Sequence, residues 1–208
     1  MALLGDFISG NIHEALKEIT LLDPAEAIIW VQERLRAGIE MLRKEISVPL
    51  TIVCHCGNHP RITQKVHDAN EQGNSLEYMM YHNLRMILGD EGINWVIAEG
   101  YHTYLDLYGY KIRFHHGHKV RFFKAIGGMF MSAYRQINEW NKAIPAWLDI
   151  FGHLHQQRNG NIFIANGSLI GTTAYSLSNG FAHERPRQKF MMFSSKGEVI
   201  GEHPIFLD

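Results

Sequence analysis

Short apolar runs rich in β-branched residues alternate with helical segments along the first half of the chain. The clearest helix begins after Asp23, which serves as an N-cap, with Pro24 at the first helical position and Glu26 completing a capping box. Apolar residues then recur at helical spacing to about residue 44. The next run, residues 49–54, is short and apolar, which is typical of a buried strand. This alternation predicts α/β layers around a hydrophobic core.

The other predicted helices and strands follow from the same two periodicities. Helices are predicted over residues 12–20, from the N-cap Ser75 to residue 88, and over residues 130–140. The helix after Ser75 is expected to bury Leu76, Met79, Met80, Leu84 and Ile87. Strands are predicted at residues 3–4, 94–98, 103–107, 110–114, 147–151, 162–165, 190–193 and 199–203. Because strands dominate the second half, we expect a sheet that is partly antiparallel.

The composition is that of an ordinary globular protein, apart from its histidine content. The 208 residues are enough for one domain with a sizeable core, predicted over residues 1–208. The formal net charge of −1 gives no overall attraction to nucleic acid or membrane. Histidine occurs 13 times, and it is the commonest metal ligand and the usual proton-transfer group near neutral pH. The positions of these histidines therefore decide whether they are functional.

The two cysteines, Cys54 and Cys56, stand on either side of His55. Adjacent strand positions point to opposite faces, so this spacing does not suit a disulfide, and free thiols indicate a reducing compartment. Residues 1–6 show no basic segment followed by an apolar run, and no apolar stretch reaches 18 residues. We therefore expect a cytoplasmic protein without a membrane partner.

Four short segments place ligand-type residues directly after apolar strands. They are Gly5-Asp6, Gly57-Asn58-His59, His115-His116-Gly117-His118 and Gly152-His153-Leu154-His155. Sites in α/β sheets form at the carboxyl ends of strands, and glycine lets backbone approach a ligand closely. Mixed Asp, Asn and His donors suit Mn, Fe, Zn or Co better than Ca. Each segment alone is also explained as a turn, but the four together in this order predict a metal site.

The order of these segments resembles the calcineurin-like metallophosphoesterase family, whose motifs run Asp-x-His, Gly-Asp, Gly-Asn-His, His-Gly and Gly-His-x-His. The chain has LLGD at residues 3–6, CGNH at 56–59, FHHGH at 114–118 and FGHLH at 151–155. The wording GDFISGNIHE at residues 5–14 and GNHPR at 57–61 looks like phage and prophage members, some of them relatives of DNA exonuclease subunits. The resemblance spans nearly the whole chain. It implies a four-layer αββα sandwich of two mixed β-sheets flanked by helices.

The resemblance also implies a dinuclear metal site. Its ligands would be Asp6, Asn58, His116, His153 and His155. Asp6 would bridge the two ions and His155 would bind the first, while the other three complete the second. His116 is preferred to His115 because the family's ligand directly precedes the glycine. Mn is the preferred metal, with Fe, Zn, Co and Ni as alternatives.

His59 would be the catalytic residue beside the scissile phosphate, where it would protonate the leaving oxygen or stabilise the charge that develops there. His118 is a candidate for supporting the ligands. The implied activity is phosphoester hydrolysis, as a phosphodiesterase or a DNA nuclease, with a phosphoester substrate and DNA as the preferred polymer. The alternative is a non-catalytic remnant of the fold that binds metal or a protein partner.

The family's first motif, Asp-x-His, does not stand ahead of Gly5-Asp6, where residues 1–4 alone precede it. We therefore expect the fold to lack its first strand and helix, through a late start, a truncated reading frame or a genuinely shortened product. The first metal would keep Asp6 and His155 as its protein ligands. This predicts one tightly bound metal, weak phosphodiester hydrolysis, and an exposed sheet edge that favours homo-oligomers.

Two basic features have competing interpretations. The run KVRFFK at residues 119–124 interleaves Lys and Arg with Phe, which suits a nucleic-acid backbone and stacked bases. It is also typical of an ordinary charged face. Arg61 follows the Gly-Asn-His segment and is either a phosphate contact or a solvated loop arginine.

Overall fold

A computed structural model describes residues 1–18, 20–120, 128–178 and 180–207. The chain divides into two compact units, Met1–Thr103 and Tyr104–Asp208. Each unit is described by itself below. That the chain forms one domain stays a prediction.

The first unit is built on a parallel three-stranded sheet. Its strands are β1 (Ala2–Leu3), β2 (Leu50–Cys54) and β3 (Ile93–Ile97), in the order β1-β2-β3. Its helices are α1 (Glu14–Lys17), α2 (Pro24–Glu45) and α3 (Leu76–Leu88), with one 3₁₀ turn at Gln72–Asn74. Parallel pairing brings the carboxyl ends of all three strands to one edge of the sheet.

The two long helices begin where the sequence predicts. At the start of α2, Asp23 and Glu26 form the predicted capping box. At the start of α3, Ser75 Oγ accepts a hydrogen bond from the backbone N–H of Glu77 at 3.2 Å. Ile28 and Ile39 of α2 are buried in the core of this unit.

The buried face of α3 differs in part from the prediction. Met80 and Leu84 are fully buried, as predicted. Met79 and Ile87 are about half exposed, so the prediction that they point inward is wrong. Tyr81 is buried in their place because its hydroxyl donates a hydrogen bond to the carbonyl oxygen of His55 at 2.9 Å. The apolar stripe of α3 is therefore rotated relative to the one that hydropathy alone indicates.

The second unit holds a mixed five-stranded sheet and a separate hairpin. The sheet has the order β4 (Thr103–Leu107), β5 (Tyr110–Phe114), β6 (Leu148–Phe151), β8 (Phe163–Ala165) and β7 (Arg158–Asn159). Its central pairs β5-β6 and β6-β8 are parallel, and β7-β8 is antiparallel. The hairpin joins β9 (Arg187–Phe193) to β10 (Val199–Phe206), and the helices are α4 (Gly128–Ala143) and α5 (Ala174–Ser178).

Helix α4 supplies the core of the second unit. Ala133 and Ile137 on α4 are fully buried together with Phe151 of β6 and Phe163 of β8. The rings of Phe151 and Phe163 stack with centroids 5.6 Å apart. This packing sets the position of β6, whose carboxyl end leads into the Gly-His-Leu-His segment.

Several fold predictions need correction. The helix predicted over residues 12–20 is the short α1, and Ile19 within that range lies outside the described residues. The described sheets are one parallel, one mixed and one two-stranded, not two mixed sheets. Four-layer stacking and the absence of a first strand and helix stay predictions. Across the described ranges, no helix has the length and apolar character needed to cross a bilayer.

Candidate functional site

The predicted site residues fall into two groups, one in each unit. The loop group, Asp6, Asn58 and His59, follows β1 and β2 of the first unit. The histidine group, His116, His118, His153 and His155, follows β5 and β6 of the second unit. Each group is described within its own unit.

The two segments of the loop group interlock through glycine. The Asp6 carboxylate accepts a hydrogen bond from the backbone N–H of His59 at 2.8 Å. A Cβ on Gly57 would overlap that carboxylate, and a Cβ on Gly5, where φ is +85°, would overlap the backbone of Gly57. Only glycine at these two positions lets the segments approach so closely. The structure thus brings Asp6 together with the Gly57-Asn58-His59 turn.

A buried carboxyl group that the sequence reasoning missed fastens both segments. Glu77, in the first turn of α3, has no exposed surface. One of its oxygens accepts from the backbone N–H of Phe7 and the other from that of Gly57, both at 2.7 Å. The available signal was its position, because Glu77, Met80, Tyr81 and Leu84 lie on one helical face.

His59 has one ring nitrogen fixed by a hydrogen bond. Its Nδ1 lies 2.9 Å from the carbonyl oxygen of Ser9. Since a carbonyl oxygen only accepts, Nδ1 carries the proton in this contact. The other nitrogen, Nε2, lies 3.9 Å from Asp6 Oδ2, and both side chains are 13% exposed. His59 therefore presents Nε2 beside a carboxylate at a position that solvent reaches.

Arg61 closes its own loop. Its guanidinium donates to the carbonyl oxygen of Asn58 at 2.5 Å and to that of Gln64 at 3.3 Å. These bonds hold the Gly57-Asn58-His59 turn in shape. Arg61 is thus neither a fully solvated loop residue nor directed wholly at solution ligands.

Two members of the histidine group meet directly. His116 Nε2 and His153 Nδ1 lie 3.2 Å apart, and the His116 side chain is buried. Two nitrogens bound to one metal at about 2.0–2.1 Å each would be separated by roughly 2.9–3.4 Å at bond angles between octahedral and tetrahedral. The spacing of the pair therefore fits two ligands of a single ion. His116 and His153, like Asp6 in the loop group, each offer a ligand atom of a kind that metal ions bind.

Backbone strain marks the same residues. Four described residues other than glycine have positive φ: Asp6 at 60°, Tyr108 at 56°, His153 at 65° and His155 at 55°. Three of them are predicted metal ligands. Such conformations cost about 1–3 kcal/mol each and cluster at functional sites. The strain at both histidines of the Gly-His-Leu-His segment indicates selection for side-chain position rather than for stability.

His115 belongs to a different network from His116. Its ring is fully buried, stacks on Phe151 at 4.8 Å, and lies 3.4 Å from the Asp149 carboxylate. Burial lowers the pKa of His115, while the hydrogen bond to Asp149 raises it in opposition. Asp149 also pairs with Arg113, its register partner across β5 and β6, at 2.7 and 3.0 Å. This network, which the sequence reasoning missed, joins the two strands that lead to His116 and His153.

The other two histidines of the group lie farther out. The His118 ring has its centroid 5.7 Å from that of His116 and 6.2 Å from that of His153. The His155 ring packs edge-on against Phe181 at 5.5 Å. Residues 121–124 of the basic run at 119–124 lie outside the described residues, so its nucleic-acid interpretation stays a prediction.

The structure thus joins Asp6 to the His59 turn in the first unit and His116 to His153 in the second. Convergence of the two groups on one metal centre stays a prediction. The cysteines are free and buried, as predicted. Burial raises the pKa of both thiols, so neither is a reactive thiolate near neutral pH.

No protein-family model matches the chain, and no curated protein matches it. Three solved structures are similar. Wild-type Vps29 complexed with Zn²⁺ from Entamoeba histolytica is 14% identical, with 98% of this chain and 97% of that chain covered and a TM-score of 0.44. A novel archaeal phosphodiesterase is 14% identical over 75% of this chain and 68% of that chain, with a TM-score of 0.42. A predicted phosphoesterase from Streptococcus pneumoniae is 14% identical over 82% and 91%, with a TM-score of 0.37. At these scores none of them assigns an activity to this chain.

Proposed function

We propose that the chain is a metal-dependent phosphoester hydrolase. The observation that carries the proposal is the His116–His153 pair, whose ring nitrogens lie 3.2 Å apart, with His153 held in a strained conformation. The motif order in the sequence adds Asp6, Asn58 and His155 as further ligands. A divalent ion bound there supplies polarisation of the phosphoryl oxygens and a nucleophile at neutral pH, and Mn is the preferred ion.

In this proposal His59 moves a proton. Its Nδ1 is engaged with the carbonyl oxygen of Ser9, which fixes the plane of the ring. When Nε2 is protonated, it can give that proton to the leaving oxygen of the substrate, and Asp6, 3.9 Å away, favours the charged ring. Asn58 and Asp6 are held beside it by the interlocked loops, so binding and proton transfer would occur at one place.

The first expected result is metal-dependent hydrolysis. Metal-stripped protein should hydrolyse bis(p-nitrophenyl) phosphate only after Mn²⁺ or another first-row ion is restored. His116→Ala and His153→Ala should both lose metal and activity, because each removes one nitrogen of the pair. His67→Ala is the matched control, since His67 is exposed. Metal content by mass spectrometry separates the outcomes: no bound metal contradicts the proposal, and bound metal without hydrolysis favours the non-catalytic alternative.

The second expected result concerns His59→Ala. Turnover should fall by about 10²–10⁴-fold, the usual range for general acid–base help, while metal content stays near that of the wild type. His67→Ala should leave both unchanged. Normal turnover in His59→Ala would remove the proton-transfer role while leaving the metal site in place.

We propose a phosphodiester, and DNA in particular, as the substrate class. The support is the resemblance of the loop-group wording to nuclease relatives. End-labelled single- and double-stranded oligonucleotides, incubated with the Mn²⁺-loaded protein, test it. Hydrolysis of small phosphoesters without cleavage of either oligonucleotide would retain the hydrolase and reject the nuclease.

A further inference from the structure

The loop between β1 and α1 folds back on His59. The carbonyl oxygen of Ser9 accepts the hydrogen bond from His59 Nδ1. Gly10 has a φ of +61°, and a Cβ there would overlap the carbonyl oxygen of His59. Ile8 is buried in the core of the first unit. The loop is therefore anchored on both sides of Ser9, and it delivers its last residue, His13, to the His59 ring.

His13 places a second imidazole beside the first. The two ring centroids lie 5.7 Å apart, with the rings in edge contact at 65°. His13 is exposed, so a ligand in solution reaches this edge. Burial lowers the pKa of His13, and the nearby His59 and Arg61 lower it further. Three basic side chains thus act on the same small region of the first unit.

Hydrogen-bonding capacity explains why one histidine is not enough here. A neutral imidazole has a single N–H. In His59 that N–H is directed to Ser9, so neutral His59 has none left for an anion. Arg61 directs two guanidinium nitrogens at the carbonyl oxygens of Asn58 and Gln64. A further donor at this edge has to come from His13.

We propose that His13, together with His59 and Arg61, forms an anion subsite that binds the non-bridging oxygens of a phosphate group. The subsite rests on the proposed function, because a phosphoryl group is what the neighbouring loop group would process. Hydrogen bonds from cationic or ring donors to phosphate oxygens are short and strong. The division of roles is specific: His13 holds the phosphate, and His59 exchanges the proton.

The test is a titration of the full chain with inorganic phosphate, with and without Mn²⁺, followed by calorimetry and by ¹⁵N spectra of the histidine rings. His13→Ala should weaken phosphate binding about tenfold, as expected for loss of one charge-assisted hydrogen bond. His13→Arg, which keeps a cationic donor, should retain most of the affinity. His67→Ala should change nothing. With a small phosphoester, His13→Ala should raise KM and leave kcat nearly unchanged, the opposite pattern to His59→Ala.

The outcomes separate the subsite from the hydrolase. Phosphate binding that depends on His13 in a chain without hydrolytic activity would keep the subsite and reject the proposed function. Hydrolysis with phosphate affinity and KM unchanged in His13→Ala would keep the function and overturn the subsite. No phosphate binding by the wild type in either metal state would also overturn it. Circular dichroism of each variant shows whether the fold is intact, and His13→Arg controls for local loop damage.

Discussion

Replacement of Asp149 by alanine should destabilise the protein by about 3–5 kcal/mol, because it leaves the Arg113 guanidinium buried without its carboxylate. Both side chains have no exposed surface. Arg113 also donates to the carbonyl oxygen of Ile144 at 3.1 Å and to the Asn141 side chain at 2.9 Å, so it cannot easily swing out to water. The measurement is the free energy of unfolding in urea.

The chain contains a matched control for this prediction. Arg85 and Asp90 form the same two-bond arrangement, at 2.8 and 3.0 Å, but on the surface. Asp90→Ala should therefore shift the unfolding midpoint very little. A double change, Arg113→Met with Asp149→Leu, should cost less than Asp149→Ala alone, since no charge is left buried. Equal effects of Asp149→Ala and Asp90→Ala would contradict the importance of burial here.

Loss of the pair should also disturb the histidine group. Arg113 and Asp149 face each other across β5 and β6, one turn of chain before His116 and His153 respectively. If they fix the relative height of these strands, Asp149→Ala should weaken metal binding by about 10–100-fold, the usual effect of losing a residue that orients ligands. Asp90→Ala should not change it.

Regular elements were the most predictable part of the fold, because local patterns determine them. Strand β5 has the predicted bounds, since its apolar run lies between the turn at Gly109 and the histidine segment. Helix α2 begins where the capping box places it. Short elements such as β7 and α5 were missed because two to five residues carry too little periodicity.

The side chains that hold the site together were less predictable. Arg113 and Asp149 are visible in the sequence as charges inside apolar strands, but their pairing depends on the β5-β6 register, which no local pattern specifies. Glu77 was missed for a different reason. A glutamate in the first turn of a helix is ordinarily explained by the helix dipole, so its burial is apparent only once β1 and β2 are in place.

The second large effect is expected at Glu77, whose carboxyl oxygens accept from the backbone N–H groups of Phe7 and Gly57. Glu77→Leu removes both acceptors while keeping an apolar side chain of similar length. Each stranded buried N–H costs about 1–3 kcal/mol, so a loss of roughly 2–6 kcal/mol is expected. Glu77→Gln should cost about half as much, because the amide oxygen can still accept one bond and the NH₂ group cannot accept the other.

Glu45→Gln is the matched control, since Glu45 is exposed at the end of α2 and should stay within about 0.5 kcal/mol of the wild type. Hydrogen exchange gives a readout that global stability alone does not. The amides of Phe7 and Gly57 should exchange faster in Glu77→Gln by more than the amides of β3 do, because the loss is local to the two loops. Metal affinity and turnover should fall with them, since Asp6 and Asn58 lie one residue from these two amides. Unchanged protection at both amides would mean that the loops are held by the Asp6–His59 contact and the close glycine approach without help from Glu77.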